Sequence, residues 1–242
     1  MKYLILGDLE GRTTWKNIIE KENPDVTIFL GDYVASRVKD IGPADEISTL
    51  EELMDLKERS PQAVYLLRGN HDFNGVYYWA SCYPKTDLNV VNWLINNRQR
   101  FEKNTQWIYQ IPDTNIICSH AGIGEKFLEN IRTHLFGTSE NEYSTQFILN
   151  QINSIEPCEL FGFTPYGYQS DMSGTSITQP CTWIRPSTLS NCAINDYIQI
   201  VGHTRVSDIR KFSEDPEIWL CDALDNNGYL IIEDGKFKPK TL

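Results

Sequence analysis

The sequence predicts an α/β fold in which two β-sheets stack between helices. Two observations predict it. Short apolar runs alternate with helical patterns through the first third of the chain, and four more strand-like runs crowd its C-terminal part. No internal repeat or low-complexity tract interrupts this order.

Lys2–Leu6 reads as a buried strand, followed by a helix over 13–22 and a second strand over 25–30. A helix is expected over 47–58, with Ser48 as its cap and Glu51 three residues on, then a third strand over 63–67. Strand, helix, strand, helix, strand implies βαβ units and a parallel sheet covered on both faces. Helical spacing returns over 88–101. Residues 107–111 and Ile116–Ser119 read as strands around the turn Pro112-Asp113-Thr114-Asn115. Helices are expected over 127–135 and 143–152. Residues 157–186 are rich in Gly, Pro, Ser, Thr and aromatics and show no period. A stretch that long without regular structure is uncommon unless functional. Its Phe161, Phe163, Tyr166, Tyr168 and Trp183 suit a lid or pocket wall better than a linker. Strands over 197–201, 209–212, 218–221 and 229–232 are expected to form an antiparallel second sheet, with residues 1–242 making one domain.

The 242 residues can bury a substantial core. Met1-Lys2 leads straight into a short apolar run followed by acids, which is not a signal peptide, so a cytoplasmic protein is expected. The six cysteines form no CxxC pair and read as free thiols in a reducing compartment. A net charge of −11 argues against general binding to nucleic acid or anionic membrane, because phosphate surfaces demand a basic face. It does not exclude a phosphate-bearing substrate, since a local metal centre inverts the field where it matters.

Five stretches share one grammar: YLILGDLEG, TIFLGDYV, VYLLRGNHD, NIICSHAG and IQIVGHT. Each is an apolar run that stops at small or polar residues. In a parallel sheet the C-terminal strand ends line up along one edge, where ligands bind. They would deliver Asp8, Glu10, Asp32, Asn70, His71, His120 and His203 to one place. Of the four histidines only His134 lies elsewhere, mid-helix, and it reads as a surface residue. Any one of these residues alone is more often structural than a ligand. Their joint occurrence at five strand ends is what points to a site. Carboxylates, imidazoles and an amide oxygen suit Mn, Fe or Zn, and two such ions about 3.5–4 Å apart clamp a displacement at phosphorus.

GDLEG, GDYV, RGNHD, SHAG and GHT, in this order across residues 7–204, resemble the motifs of calcineurin-like metallophosphoesterases. The branch they resemble holds phosphoprotein phosphatases and symmetrical diadenosine tetraphosphatases. The resemblance implies a four-layer α/β/β/α sandwich and a centre of two divalent ions. It implies that Asp8 and Glu10 bind the first ion, that Asp32 bridges, and that Asn70, His120 and His203 complete the second. His71 would act as general acid, and a water between the ions as nucleophile. Arg185, in Thr182-Trp183-Ile184-Arg185-Pro186, resembles the family's tryptophan-x-arginine element and would hold phosphate oxygens. Asp222 would be supporting structure.

Three departures stand out. The opening Asp-x-His is here Asp8-x-Glu10, a carboxylate for an imidazole, which favours manganese, with iron, magnesium or zinc as other fits. The second motif lacks the Asp that would orient His71: Ala35 stands there, then Ser36, with Arg37 one place late and still within reach of a phosphate. The last motif, Gly202-His203-Thr204-Arg205, has no second histidine. The leading expectation is hydrolysis of phosphomonoesters, including phosphoserine or phosphothreonine in proteins. Hydrolysis of dinucleoside polyphosphates or other nucleotides is the alternative, and a non-catalytic metal- or phosphate-binding protein the third reading.

Overall fold

The computed structural model describes residues 1–77, 86–137, 143–157, 161 and 173–242. Cys82, Cys158, Phe163, Tyr166 and Tyr168 lie outside the described residues. The first half of the chain runs β1 (Lys2–Leu6), α1 (Trp15–Glu22), β2 (Val26–Phe29), α2 (Pro43–Arg59), β3 (Val64–Leu67), α3 (Asn70–Tyr77), α4 (Leu88–Asn96), α5 (Arg98–Asn104) and β4 (Thr105–Gln106). The second half runs β5 (Ile108–Gln110), β6 (Ile116–Ser119), α6 (Glu125–Phe136), α7 (Thr145–Ile152), α8 (Pro186–Cys192), β7 (Ile198–Arg205), β8 (Arg210–Glu214), β9 (Glu217–Asp222), β10 (Gly228–Glu233) and β11 (Lys236–Thr241).

Two mixed sheets result. One has the order β11-β10-β1-β2-β3-β4, the other β5-β6-β7-β9-β8. Side-chain alternation along the strands builds the layers. Tyr3 and Ile5 of β1 join a core with Ile116, Cys118, Ile200 and Ile218 of the second sheet. Leu4 and Leu6 point the other way, to Ile18 of α1, Leu50 and Leu53 of α2 and Leu94 of α4. On the far side of the second sheet Ile117 packs with Phe127 and Ile131 of α6 and Ile148 of α7. Helix, sheet, sheet, helix is the layer order that these three cores define.

Between β4 and β5 the chain crosses from one sheet to the other at Trp107. The Asn153 side-chain oxygen accepts from the backbone N–H of Trp107 at 2.9 Å and of Ile108 at 3.1 Å. Trp107 is buried, with the Arg68 guanidinium 4.6 Å from its ring centroid on one contact and Phe161 stacked at 3.8 Å on another.

Several expectations are corrected. The strand over 229–232 does not belong to the second sheet: β10 pairs antiparallel with β1 in the first. Its Leu230 and Ile232 face one core and its Tyr229 and Ile231 another, so it needs cover on both faces. The second sheet is mixed and not wholly antiparallel: β8 pairs antiparallel with β9, but β6 and β7 run parallel because α6, α7 and α8 form a long crossover between them, and β9 runs parallel to β7 because β8 lies between them in the chain. α2 begins at Pro43, ahead of Ser48, with Asp45 accepting from the Gly42 N–H at 2.8 Å. The helix over 88–101 is two helices parted at Asn97, whose side-chain amide donates back to the Trp93 carbonyl at 2.9 Å. No helix among the described residues is long and apolar enough to cross a membrane.

One buried carboxylate fastens three elements of the first sheet to α1. Glu22 accepts from the Tyr229 hydroxyl at 2.8 Å and Lys240 at 2.9 Å, and pairs with Lys2 at 2.7 Å. Burial pushes its pKa up, but Lys2, Lys240 and Tyr229 outweigh that and lower it from 4.5 to about 2. A carboxyl with a depressed folded pKa stabilises the fold above its unfolded pKa, and that contribution is lost as pH falls toward the folded value. Glu22→Gln should therefore melt several degrees below the parent near pH 7. The gap should close as pH drops from 4.5 towards about 2, read by thermal melts at stepped pH.

Candidate active site

Both sets of parallel strands end on the same side of the molecule. β1 delivers Asp8, β2 delivers Asp32, β3 delivers Asn70 and His71, β6 delivers His120, and β9 ends at Asp222. His203 lies within β7, where its register with β9 shifts between Val201 and Arg205. Two glycines let the backbone approach the carboxylates. A Cβ on Gly202 would lie 2.6 Å from Asp8 Oδ1, and one on Gly69 would collide with Asp32 Oδ1. Glu10, Asp32, Ala35 and His203 all adopt positive φ, between 47° and 65°. Side chains rarely take that conformation, and such strain gathers where the surrounding structure imposes it for function.

Backbone carbonyls dictate the histidine tautomers. His120 Nδ1 lies 2.8 Å from the Leu30 carbonyl, and His203 Nε2 lies 3.1 Å from the Trp183 carbonyl. A carbonyl can only accept, so those two nitrogens carry the protons. The other nitrogens, His120 Nε2 and His203 Nδ1, then face each other at 3.2 Å with lone pairs. Asn70 Oδ1 stands 2.9 Å and Asp32 Oδ2 3.5 Å from the same His120 nitrogen. Four electron-rich atoms converge without a proton among them. Burial, which outweighs the pull of Asp32, lowers the pKa of His120; burial and then His120 lower that of His203 further. Both imidazoles stay neutral, as ligands must. The Asp32, His120 and His203 cluster fits a divalent metal ion.

The buried carboxylates confirm where positive charge is missing. Asp72 is fully satisfied: it accepts from the backbone N–H groups of Asp32, Tyr33 and Gly69 at 2.8, 2.8 and 3.0 Å, which locks the β2 loop onto the β3 loop. Glu46 of α2 does the same for the Ala35 and Ser36 amides, at 3.0 and 2.7 Å. Asp8 is buried too, with Oδ1 accepting from the His203 N–H at 2.9 Å, and Oδ2 has no hydrogen-bond partner among the described residues. Asp222 Oδ2 is likewise buried and without a hydrogen-bond partner among the described residues. Burial and the neighbouring Asp222 and Asp32 push the Asp8 pKa well up. Burial lifts Asp222 to about 7. Uncompensated buried carboxylates cost several kcal/mol unless a cation joins them.

Above this floor lies a cavity of about 340 Å³, lined by Asp32, Asn70, His71, His203 and Trp183 below and by Arg37, Arg185 and Arg205 at its walls. His71 opens α3, with its backbone N–H on Asp32 Oδ1 at 2.9 Å and its Nε2 3.9 Å from Asp32 Oδ2. Arg185 reaches the Thr204 hydroxyl at 3.3 Å. Glu10 is buried among arginines: Arg37 Nε and Arg205 Nη2 each lie 2.9 Å from its carboxylate and Arg12 Nη1 3.4 Å. Of residues 157–186, Trp183 and Arg185 line the cavity, whereas Phe161 is core. A larger groove of about 1290 Å³ beside the turn at 112–115 contains none of these residues.

Sequence reasoning passed over Glu46 and Arg205. Glu46 gives no signal, because its partners are loop amides. Arg205 had one: it follows His203 by two residues on a strand-like run.

The centre should respond to metal in solution. A divalent cation at about 100 times its Kd should stabilise the protein by about 2.7 kcal/mol and raise its melting temperature, and chelation should reverse this. Asp32→Ala should abolish the response. A melting temperature indifferent to manganese and to chelator would contradict the cluster's assignment.

Residues 1–207 match the calcineurin-like phosphoesterase family. A search of curated proteins gives no match. Among solved structures the chain resembles a protein serine/threonine phosphatase from Saccharomyces cerevisiae with similarity to human phosphatase PP5. Identity is 15%, the TM-score is 0.54, and the match covers 100% of this chain and 80% of that one. A metallophosphoesterase from Sphaerobacter thermophilus matches at 14% identity and a TM-score of 0.48, over 100% of this chain and 88% of that one. The two-sheet sandwich, its buried metal-fitting cluster and the family match agree: this chain belongs to the calcineurin-like phosphoesterases, metal-dependent hydrolases of phosphoester bonds.

Proposed function

We propose that the protein hydrolyses phosphomonoesters, with phosphoserine or phosphothreonine in proteins as the leading substrate class. The observation that carries this reading is the cavity itself, which places Arg37, Arg185 and His71 around a single small space above Asp32, Asn70 and His203. Asp32, Asn70, His120 and His203 would hold one divalent ion, and Asp8 with Asp32 would face a second. Manganese suits the oxygen and nitrogen donors and the absence of a thiolate among them. When bound, such ions supply Lewis acidity and an acidified water as nucleophile.

The chain's own residues do the rest. Arg185 and Arg37 bind and orient the phosphoryl oxygens with planar forks. His71, at the mouth of α3, gives a proton to the leaving oxygen. Asp32 holds the His71 backbone in place through a 2.9 Å hydrogen bond, so the acid is positioned without the carboxylate that Ala35 has replaced. Asp72, whose oxygens are spent on three amides, stiffens the loop and does not enter the cavity.

Turnover of para-nitrophenyl phosphate and of a phosphopeptide with added Mn²⁺ tests the reaction. Asp32→Asn should cost at least about a hundredfold in kcat. His71→Asn should cost about a hundredfold or more on a phosphopeptide and little on the aryl ester, whose leaving group needs no proton. Equal losses on both would remove His71 from the acid role. Diadenosine tetraphosphate, run beside the phosphopeptide, separates the nucleotide reading: faster turnover of the dinucleotide would favour it.

A further inference from the structure

We infer that Glu10 is a positioning residue for the substrate phosphate: it holds Arg37 and Arg205 at the cavity wall and does not ligate metal. This rests on the phosphoesterase reading above and changes the part that Glu10 plays in it.

The first ground is crowding by donors. Glu10 Oε1 accepts from Arg37 Nε at 2.9 Å. Its Oε2 accepts from Arg205 Nη2 at 2.9 Å, from the Arg37 backbone N–H at 3.3 Å and from Arg12 Nη1 at 3.4 Å. Each carboxylate oxygen offers about two lone-pair positions: three donors crowd those of Oε2, and Arg37 Nε takes one of those on Oε1. Three guanidiniums at this point also repel a cation. The second ground is a closed ring of charge. Arg12 and Arg205 both pair with Asp225 as well as with Glu10, so Glu10, Arg12, Asp225 and Arg205 form a loop of four ion pairs. Breaking Glu10 out toward a metal would open that ring. The third ground is local backbone: the Glu10 N–H donates to the Asp32 carbonyl at 2.8 Å, which fixes the turn from which its side chain reaches the arginines.

What the arrangement provides is a presented arginine. Glu10 has no exposed side-chain surface, while the Arg37 side chain is 38% exposed. Arg37 is tethered through Nε and its backbone N–H alone, so its two terminal nitrogens have no protein acceptor among the described residues. Arg37 lines the cavity with Arg185 and His71. A fork held by its Nε and open at its tip is the geometry that takes two phosphate oxygens at once. Two features of the sequence thereby become one device. The carboxylate at position 10 and the arginine one place late at position 37 require each other.

The test measures bound manganese by elemental analysis after equilibrium dialysis, and orthophosphate affinity by calorimetry, on the full chain. Glu10→Gln should keep the parent's manganese content and affinity but weaken orthophosphate by about tenfold. Arg37→Ala, at a partly exposed side chain that should not disturb folding, should weaken orthophosphate similarly with full manganese. The double variant should be no worse than Arg37→Ala alone, because both remove the same contact. Loss of a manganese equivalent in Glu10→Gln would overturn the assignment, as would unchanged orthophosphate affinity in Arg37→Ala or additive losses in the double variant. Parent protein that binds neither manganese nor iron, zinc or magnesium would instead sink the phosphoesterase reading. The Glu10 assignment would then be decided on orthophosphate affinity alone.

Discussion

The structure turns on the burial of carboxylates where the strand ends meet. Asp8, Glu10, Asp32, Asp72 and Asp222 all lie out of solvent within one region. An ionised carboxylate there must be met by amides, by guanidiniums or by a metal, or it stays protonated. The first two means are in place on different members, and the cluster around Asp32 fits the third. Asp72 takes backbone amides and Glu10 takes arginines, while Asp8 Oδ2 has no hydrogen-bond partner among the described residues and Asp32 Oδ2 stands 3.5 Å from the lone pair of His120 Nε2. Function follows from which carboxylates are left uncompensated.

The rest of the fold can be understood as what holds that region in shape. Parallel strands in both sheets bring their C-terminal ends to one side, and the core between the sheets fixes the distance across it. Loops then carry the strain. Residues in the left-handed region are expensive unless packing and hydrogen bonds over-determine them. Here Asp72 and Glu46 supply those bonds, gripping the amides around Asp32 and Ala35. The two carboxylates do no chemistry themselves, yet the position of Asp32 depends on the first and that of Arg37 on the second. An enzyme of this kind needs its charged groups preorganised, since electrostatic stabilisation is strongest when nothing must move.

Much of the fold was legible because strands that are buried on both faces read as continuous apolar runs. Tyr3-Leu4-Ile5-Leu6 is such a run, and it is the strand on which both the inter-sheet core and the helix-facing core are built. Pairing was less legible. Gly228–Glu233 is apolar enough to be a strand, but nothing local says that it returns to β1 and not to the sheet nearer in sequence. The short helix Pro186–Cys192 has too few turns to show a period, and Lys236–Thr241, with Pro239 and four lysine or threonine neighbours, looks like a polar tail until it pairs with β10. Edge strands carry just such residues, which protect a free edge from further pairing.

By itself the sequence determined which donor types stand at the strand ends and in what order: Asp8, Asp32, Asn70 with His71, His120 and His203. Residue type and chain order are local facts, and the 2-residue period of a strand makes its end predictable. Tertiary structure alone decided what each donor faces. Whether Glu10 meets a metal or arginines depends on Arg37 and on Arg205, 195 residues away. Whether His120 and His203 turn lone pairs inward depends on the carbonyls of Leu30 and Trp183, which belong to other elements. Side-chain direction in a turn and tautomer choice in a ring are set by partners distant in sequence, and only the packed chain brings those partners within reach.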